Sequence, residues 1–325
     1  MYKVLLTDNL AEEALNVFTR YPDIEAVRTA TLAKDELLSM IPEFDAIIVR
    51  SPTRITKEIL GHASNLKIIG RAGVGTDNID VEEATKREIV VMNASSGNAV
   101  STAEHTIGLM LSLARKIPQA HQSVTEGKWD RDAFRGTELQ GKTLGIVGLG
   151  RIGREVAKRA KAFEMNVIAA DPYIEKEMAE VLGVRLVDLE TLLSISHFVT
   201  IHVPLSPETK GLISEKEISL MLEGAYLINC SRGGIIDEAA ASEACRSGKL
   251  AGVACDVYLQ EPPAGEPLLL LDGSVFTPHI GGATREAQIR VAVDISVKVA
   301  EALVNGVIRG AINSPSGASG PKEAP

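Results

Sequence analysis

The sequence predicts an α/β protein made of two parallel sheets, each covered by helices on both faces. Three observations predict it. Short apolar runs of strand length recur along the 325 residues, the intervals between them are long enough for helices, and a long amphipathic segment divides the runs into two series. Runs that are apolar throughout, rather than alternating, indicate strands buried on both faces. The length exceeds one ordinary core and favours two domains.

The first series is KVLLT at 3, FDAIIV at 44, LKIIG at 67 and IVVM at 89. Its helices have recognisable starts. Asp35 and Glu36 open KDELLSM at 34, where negative charge suits a helix N-terminus, and Thr56 offers an N-cap hydroxyl to KEILGHA at 57. The second series is TLGIVG at 143, MNVIAA at 165, HFVTIHV at 197, AYLIN at 225, AGVAC at 251 and SVFTP at 274. Between them, Ile107, Leu109, Met110, Leu113 and Ile117 fall at helical spacing. Ser101 or Thr102 is the expected N-cap, with Ser101 and Glu104 as a capping box. A second long helix follows Thr284, an N-cap residue type, and stops at Gly306.

These two helices read as crossings between domains. The first domain is then discontinuous, residues 1–97 and 283–312, and the second spans 98–282. A cleft between two such domains is the expected place for a substrate. Residues 313–325, NSPSGASGPKEAP, hold almost no core-forming side chain and are expected to be disordered.

Composition narrows the partners. A net charge of −9 gives no support for a duplex-binding surface, although a small anion could bind in a locally basic cleft. The N-terminus lacks a signal-peptide pattern and no apolar stretch is long enough to cross a bilayer, so the expectation is a cytoplasmic protein with no membrane or nucleic-acid partner. Cys230, Cys245 and Cys255 fit neither a disulfide framework nor a CxxC site, and no His, Asp or Glu cluster has metal-ligand spacing.

The strongest local motif is TLGIVGLGRIGREVA at 143. Gly148, Gly150 and Gly153 form GxGxxG between a strand and a helix: the first permits a tight turn, the second lets a pyrophosphate approach the backbone, and the third lets helix and strand pack closely. The free N–H groups at the helix start then face the phosphates. Eighteen residues beyond Gly153 the next strand ends at Asp171, where a carboxylate accepts hydrogen bonds from ribose hydroxyls and repels a 2′-phosphate. This context predicts a Rossmann-like domain binding NAD rather than NADP. Asp171 also precedes Pro172 and suits a turn; both roles can hold at once.

Later strands end in polar residues: Arg232, Asp256 and His279. Ligands in open parallel sheets sit outside the carboxyl ends of the strands. Moving a hydride from a hydroxyl-bearing carbon requires a base, a cation for a carboxylate and a group that tunes the base. His279, Arg232 and Glu261 are those residue types. Each also has a plainer reading: Arg232 before two glycines as a turn cap, Glu261 before two prolines as a surface residue, His279 as a turn histidine. His202 ends a strand and serves equally as a cofactor contact or as packing. His62, His105, His121 and His197 carry no assignment.

In combination, GRAGVGTDNID at 70, NASSGNAVSTAEHT at 93, GTELQGKTLGIVGLGRIGREVA at 136, HVPLSPETKGLI at 202, NCSRGGIIDE at 229, CDVYLQEPP at 255 and PHIGGAT at 278 resemble the D-isomer-specific 2-hydroxyacid dehydrogenase family over about residues 3 to 312. Within it, the branch acting on 3-phospho-D-glycerate is the most similar. The resemblance implies that Arg232 binds the substrate carboxylate and carbonyl, His279 exchanges the proton and Glu261 supports His279. It implies cofactor contacts at Arg151 and Ile152 in the glycine turn, Asp171 at the ribose, and His202, Val203 and Pro204 after one strand. Cys230, Ser231 and Arg232 follow after another, with Asp256, His279, Gly281 and Gly282 at the nicotinamide end. Cys230 is placed there without being a nucleophile.

For the substrate phosphate, the resemblance implies Arg50 and Arg71, with Arg131 or Arg135 reaching across a dimer. Asn98 and the backbone of Gly73, Val74 and Gly75 resemble the substrate-carboxylate and cleft-lining positions. Val74 stands where that branch often has threonine, which removes a hydroxyl but no charge. Family members are usually homodimers held by their coenzyme domains, here through the 99–122 helix and GKWDRDAFRG at 127. Many relatives carry a serine-binding extension; with a sequence ending soon after Asn313, serine feedback through such a domain is not expected.

The expectation is therefore NAD-dependent oxidation of 3-phospho-D-glycerate to 3-phosphohydroxypyruvate, the entry into serine synthesis. The same trio would serve glyoxylate or hydroxypyruvate reduction, or another D-2-hydroxyacid. A reading of another class, a non-catalytic NAD-sensing interaction protein, requires a partner groove that the sequence does not display.

Overall fold

A computed structural model of the chain describes residues 1–95, 97–265 and 267–315. They form two compact units, divided between Asn98 and Ala99 and again between Gly282 and Ala283. Asn98, expected to begin the second domain, thus belongs to the first unit.

The first unit holds strands β1 (Tyr2–Leu6), β2 (Ile24–Arg28), β3 (Ala46–Val49), β4 (Ile68–Arg71) and β5 (Val90–Asn93). All pair in parallel, in the order β2-β1-β3-β4-β5. Strand periodicity divides the apolar runs between two cores. Val4, Leu6, Ile48 and Met92 face the helix Arg285–Asn305, while Leu5, Ile47, Ile69 and Val91 face the opposite layer with Leu37, Ile59 and Leu60. Each such fully buried side chain contributes roughly 1.5–3 kcal/mol. Thr56 caps the helix Lys57–His62 and Thr284 caps Arg285–Asn305, which ends at Gly306 with φ 68°. At the other early helix start, Glu36 accepts from the Ala33 N–H.

The second unit holds β6 (Thr143–Val147), β7 (Asn166–Ala170), β8 (Arg185–Leu186), β9 (Phe198–Ile201), β10 (Ala225–Asn229), β11 (Leu250–Cys255) and β12 (Val275–Phe276), in the order β12-β11-β10-β9-β6-β7-β8. Strand order reverses between β6 and β9, the crevice where doubly wound sheets bind ligands. One core packs Leu144, Ile146, Phe198 and Ile228 against Met110 and Leu113 of the helix Ala99–Arg115, and the other packs Val147, Val199, Ile201 and Leu227 against Leu192 and Ile218.

Three expectations are corrected. The helix expected to start after Ser101 begins at Ala99, so Ser101 and Thr102 lie inside its first turn and are buried. It does not run to 122 unbroken: Lys116 adopts φ 51° and a second helix, Ile117–Thr125, begins there. Pro118 has no N–H for the Ala114 carbonyl, which accepts instead from the Thr137 N–H at 2.8 Å. Asn313, expected to open a disordered tail, is ordered: its Oδ1 accepts from the Val91 N–H and its Nδ2 donates to Thr85 Oγ1 and the Ile89 carbonyl. The remainder of that tail, from 316 on, lies outside the described residues.

Candidate active site

Gly148, at the end of β6, has φ 92°, and a Cβ there would lie 2.7 Å from the His202 carbonyl oxygen across the β6/β9 crevice. A Cβ on Gly153 would lie 2.2 Å from the Gly148 carbonyl oxygen, so only glycine lets the helix Arg151–Ala162 approach the strand. Gly150 differs, because a Cβ there would meet nothing within 4 Å. That is backbone opening onto free space. No side chain caps the helix start, so the N–H groups of Arg151 and Ile152 face the same opening.

These features fit the phosphates of a dinucleotide. A second observation agrees. His202 Nδ1 is buried with no hydrogen-bond partner among the described residues, while Nε2 lies 3.0 Å from Thr200 Oγ1. Burial pushes its imidazole down to about 3, so the ring is a neutral one with an unused polar atom. Val203 and Pro204 continue from it, Pro204 exposed.

Asp171 follows β7 beside this turn. One of its oxygens accepts from the Leu149 N–H at 2.8 Å, inside the glycine motif, and the other from the Tyr173 N–H at 2.9 Å. The turn role is thus present, and each oxygen keeps a lone pair for another donor.

After β10, the Asn229 side chain shapes the turn that carries Arg232. Its Oδ1 accepts from the Ser231 N–H and hydroxyl, and its Nδ2 donates to the Arg232 carbonyl. Arg232 Nη1 donates to the Ser231 carbonyl at 2.7 Å. Gly233 presses this turn against the loop after β11, for a Cβ there would lie 1.8 Å from the Tyr258 carbonyl oxygen. Burial pushes the Cys230 thiol up to about 12 and that of Cys245 to about 11, so neither is a ready nucleophile.

The loop after β11 carries Asp256 and Glu261; the loop after β12 carries His279. His279 Nδ1 and Glu261 Oε2 stand 2.8 Å apart, and the other Glu261 oxygen accepts from the Tyr258 N–H at 3.2 Å. The pair is half exposed and therefore reachable by a small molecule. With Nδ1–H donated to the carboxylate, the Nε2 lone pair remains to take a proton. His279 adopts φ 52°, a left-handed conformation unusual for a side-chain-bearing residue. Asp256 is buried and its oxygens accept from Thr277 Oγ1 and the Ile280 and Gly281 N–H groups. Gly281 approaches Asp256 closely, and Gly282 ends the unit.

The remaining candidates are carried by the first unit and by the segment after Ile117–Thr125. Arg50 follows β3 and Arg71 ends β4, at the carboxyl edge of the first sheet. Asp8 accepts from the Arg50 N–H at 2.7 Å and from Thr53 Oγ1, and Arg71 donates to Ser51 Oγ at 2.8 Å and to the Ala72 carbonyl. Gly73, with φ 149°, leaves the space this guanidinium fills, the Val74 carbonyl accepts from Asn93, and Gly75 completes the loop. Asn98 Oδ1 is buried without a partner among the described residues. Arg131 and Arg135 lie on the exposed segment after Ile117–Thr125, Arg135 beside Asp132 at 3.2 Å.

Residues 107–281, more than half of the chain, match the NAD binding domain of the D-isomer specific 2-hydroxyacid dehydrogenases, and the chain belongs to that family. It is 51% identical to a D-3-phosphoglycerate dehydrogenase of Archaeoglobus fulgidus over 97% of its own length, spanning 60% of that relative. A solved protein from Thermus thermophilus superposes with a TM-score of 0.85 at 35% identity, covering 96% of this chain and 100% of that one. The D-lactate dehydrogenase of Aquifex aeolicus, solved with NAD and lactic acid, gives 0.80 at 30% identity over 93% and 96%.

Proposed function

We propose that the protein is an NAD-dependent oxidoreductase that oxidises 3-phospho-D-glycerate to 3-phosphohydroxypyruvate. The observation that carries the reading is the His279–Glu261 pair, 2.8 Å apart on a sheet whose first turn has the three glycines of a dinucleotide site. NAD, when bound, accepts the hydride that leaves C2. Arg232 binds the substrate carboxylate through its planar fork, and His279 Nε2 takes the C2 hydroxyl proton as the carbonyl forms. Glu261 holds Nδ1–H and stabilises the imidazolium that results. The likeness to the Archaeoglobus enzyme supports the phosphorylated substrate.

A steady-state NAD-reduction assay comparing 3-phosphoglycerate with glycerate, D-lactate and 2-hydroxyglutarate tests this. The phosphorylated substrate is expected to lead in kcat/KM by more than about tenfold. A smaller ratio removes the phosphate assignment and leaves a dehydrogenase of another D-2-hydroxyacid, or a glyoxylate or hydroxypyruvate reductase.

In the same reading, Asp171 faces the ribose. Asp171→Ala is expected to shift the NADP-to-NAD ratio of kcat/KM by about tenfold toward NADP, since a like-charge contact with the 2′-phosphate is lost. It also strands the Leu149 N–H and lowers Tm. A lower Tm with unchanged cofactor preference would reduce Asp171 to a turn residue.

The protein is further proposed to form a homodimer through its coenzyme unit. The helix Ile117–Thr125 buries none of its residues, and Ile117, Val124 and Trp129 are 50%, 56% and 80% exposed.

A further inference from the structure

We propose that His105, acting through Thr277 and Asp256, is a positioning residue for the loop that presents His279, an inference resting on the proton-carrier reading of His279. His105 lies 172 residues away in sequence, on the helix Ala99–Arg115, yet its Nε2 is 3.0 Å from Thr277 Oγ1 and 3.3 Å from Asp256 Oδ1. Thr277 Oγ1 is 2.6 Å from Asp256 Oδ1. A threonine hydroxyl has one proton, and the carboxylate claims it. The threonine oxygen therefore accepts from His105 Nε2–H, which fixes the tautomer and gives the chain one direction: imidazole to hydroxyl to carboxylate.

The carboxylate is where this chain meets the catalytic loop. Asp256 also accepts from the Ile280 N–H at 2.8 Å and the Gly281 N–H at 2.7 Å, the two amides that directly follow His279. Burial alone would raise its pKa; His105 3.3 Å away and the hydrogen bonds from Thr277 and the two amides outweigh that and hold it below the usual carboxylate range. An ionised, oriented Asp256 thus holds in place a loop whose key residue sits in the left-handed region. Tyr258 secures the near end through its hydroxyl on the Thr277 carbonyl at 2.9 Å. The Tyr258 hydroxyl bonds the Cys255 and Thr277 carbonyls and not the carboxylate, which His105 reaches through Thr277.

The test uses His105→Leu, Thr277→Val and His105→Gln, the last retaining a donor at the reach of Nε2. Amide hydrogen exchange is read at Ile280 and Gly281 in the full chain without substrate, alongside kcat and KM. In His105→Leu and Thr277→Val, exchange at these two amides is expected to accelerate about tenfold or more, with core amides unchanged, and kcat to fall about tenfold with KM for NAD within about twofold. His105→Gln is expected to restore most of both. Wild-type exchange at 280–281 in His105→Leu overturns the proposal, as does a loss spread over the whole unit that glutamine does not rescue. The exchange readout needs no turnover. A wild-type protein that oxidises no hydroxyacid would count against the proposed function, while exchange at 280–281 would still decide the role of His105.

Discussion

His279→Ala is expected to lower kcat by about 10²–10⁴-fold while changing the Kd for NAD by less than about threefold. The size follows from what the imidazole supplies, a proton acceptor already oriented by Glu261 at 2.8 Å. Small effects on NAD follow from the proposed separation of roles, in which the phosphates are assigned to the glycine turn and its helix N-terminus. His279→Asn sharpens the experiment. Asparagine tolerates the left-handed backbone at φ 52° and can still donate to Glu261 Oε2, but its amide takes up no proton at neutral pH. Equal losses in the alanine and asparagine variants assign the defect to proton transfer. An asparagine variant close to wild type would mean that residue 279 only shapes the loop. Stopped-flow measurement of the first turnover separates this step from product release.

Much of this arrangement was legible in the sequence. The glycine motif, Asp171 and the strand-end positions of Arg232 and His279 follow from local pattern, because the chemistry of a parallel sheet gathers at one edge. Other features were not legible, for identifiable reasons. β2 escapes the apolar-run criterion because IEAVR is an edge strand with only Ile24 buried, and β8 has two residues. The break at Lys116 was signalled by Pro118, but the apolar spacing through Ile117 concealed it. His105, Asn229 and Tyr258 hold loops, and their partners depend on chain crossings that spacing does not encode. His105 had one usable signal. With Thr102 and Thr106 it forms a polar group at the start of a helix whose next turns are apolar, and buried polar groups require partners.

The same reasoning singles out Gly233, which sequence alone presents only as half of a glycine pair. Gly233→Ala is expected to reduce kcat/KM by about 10²-fold, an effect comparable to losing a chemical group, although the added methyl touches no substrate. A Cβ at 233 would lie 1.8 Å from the Tyr258 carbonyl oxygen, 2.0 Å from its carbon and 2.6 Å from the Leu259 nitrogen. All three contacts are backbone, so no side chain can rotate away. Either the turn bearing Arg232 moves or the 256–261 loop does, and in both cases Arg232 is displaced relative to Glu261 and His279. The neighbouring φ is no escape, since Gly234 already sits at 77°. Overpacking of this kind costs about 1–3 kcal/mol of stability as well, which chemical denaturation would report as a lower midpoint. The distinguishing measurement is substrate affinity against NAD affinity. Displacement of Arg232 weakens carboxylate binding and raises the KM of the hydroxyacid, while the glycine turn at 148–153, on the other side of β9 in the sheet order, keeps its Kd for NAD. Equal loss of both affinities would show general disruption of the unit instead, and near-wild-type kinetics would mean that the two loops are not coupled through this contact.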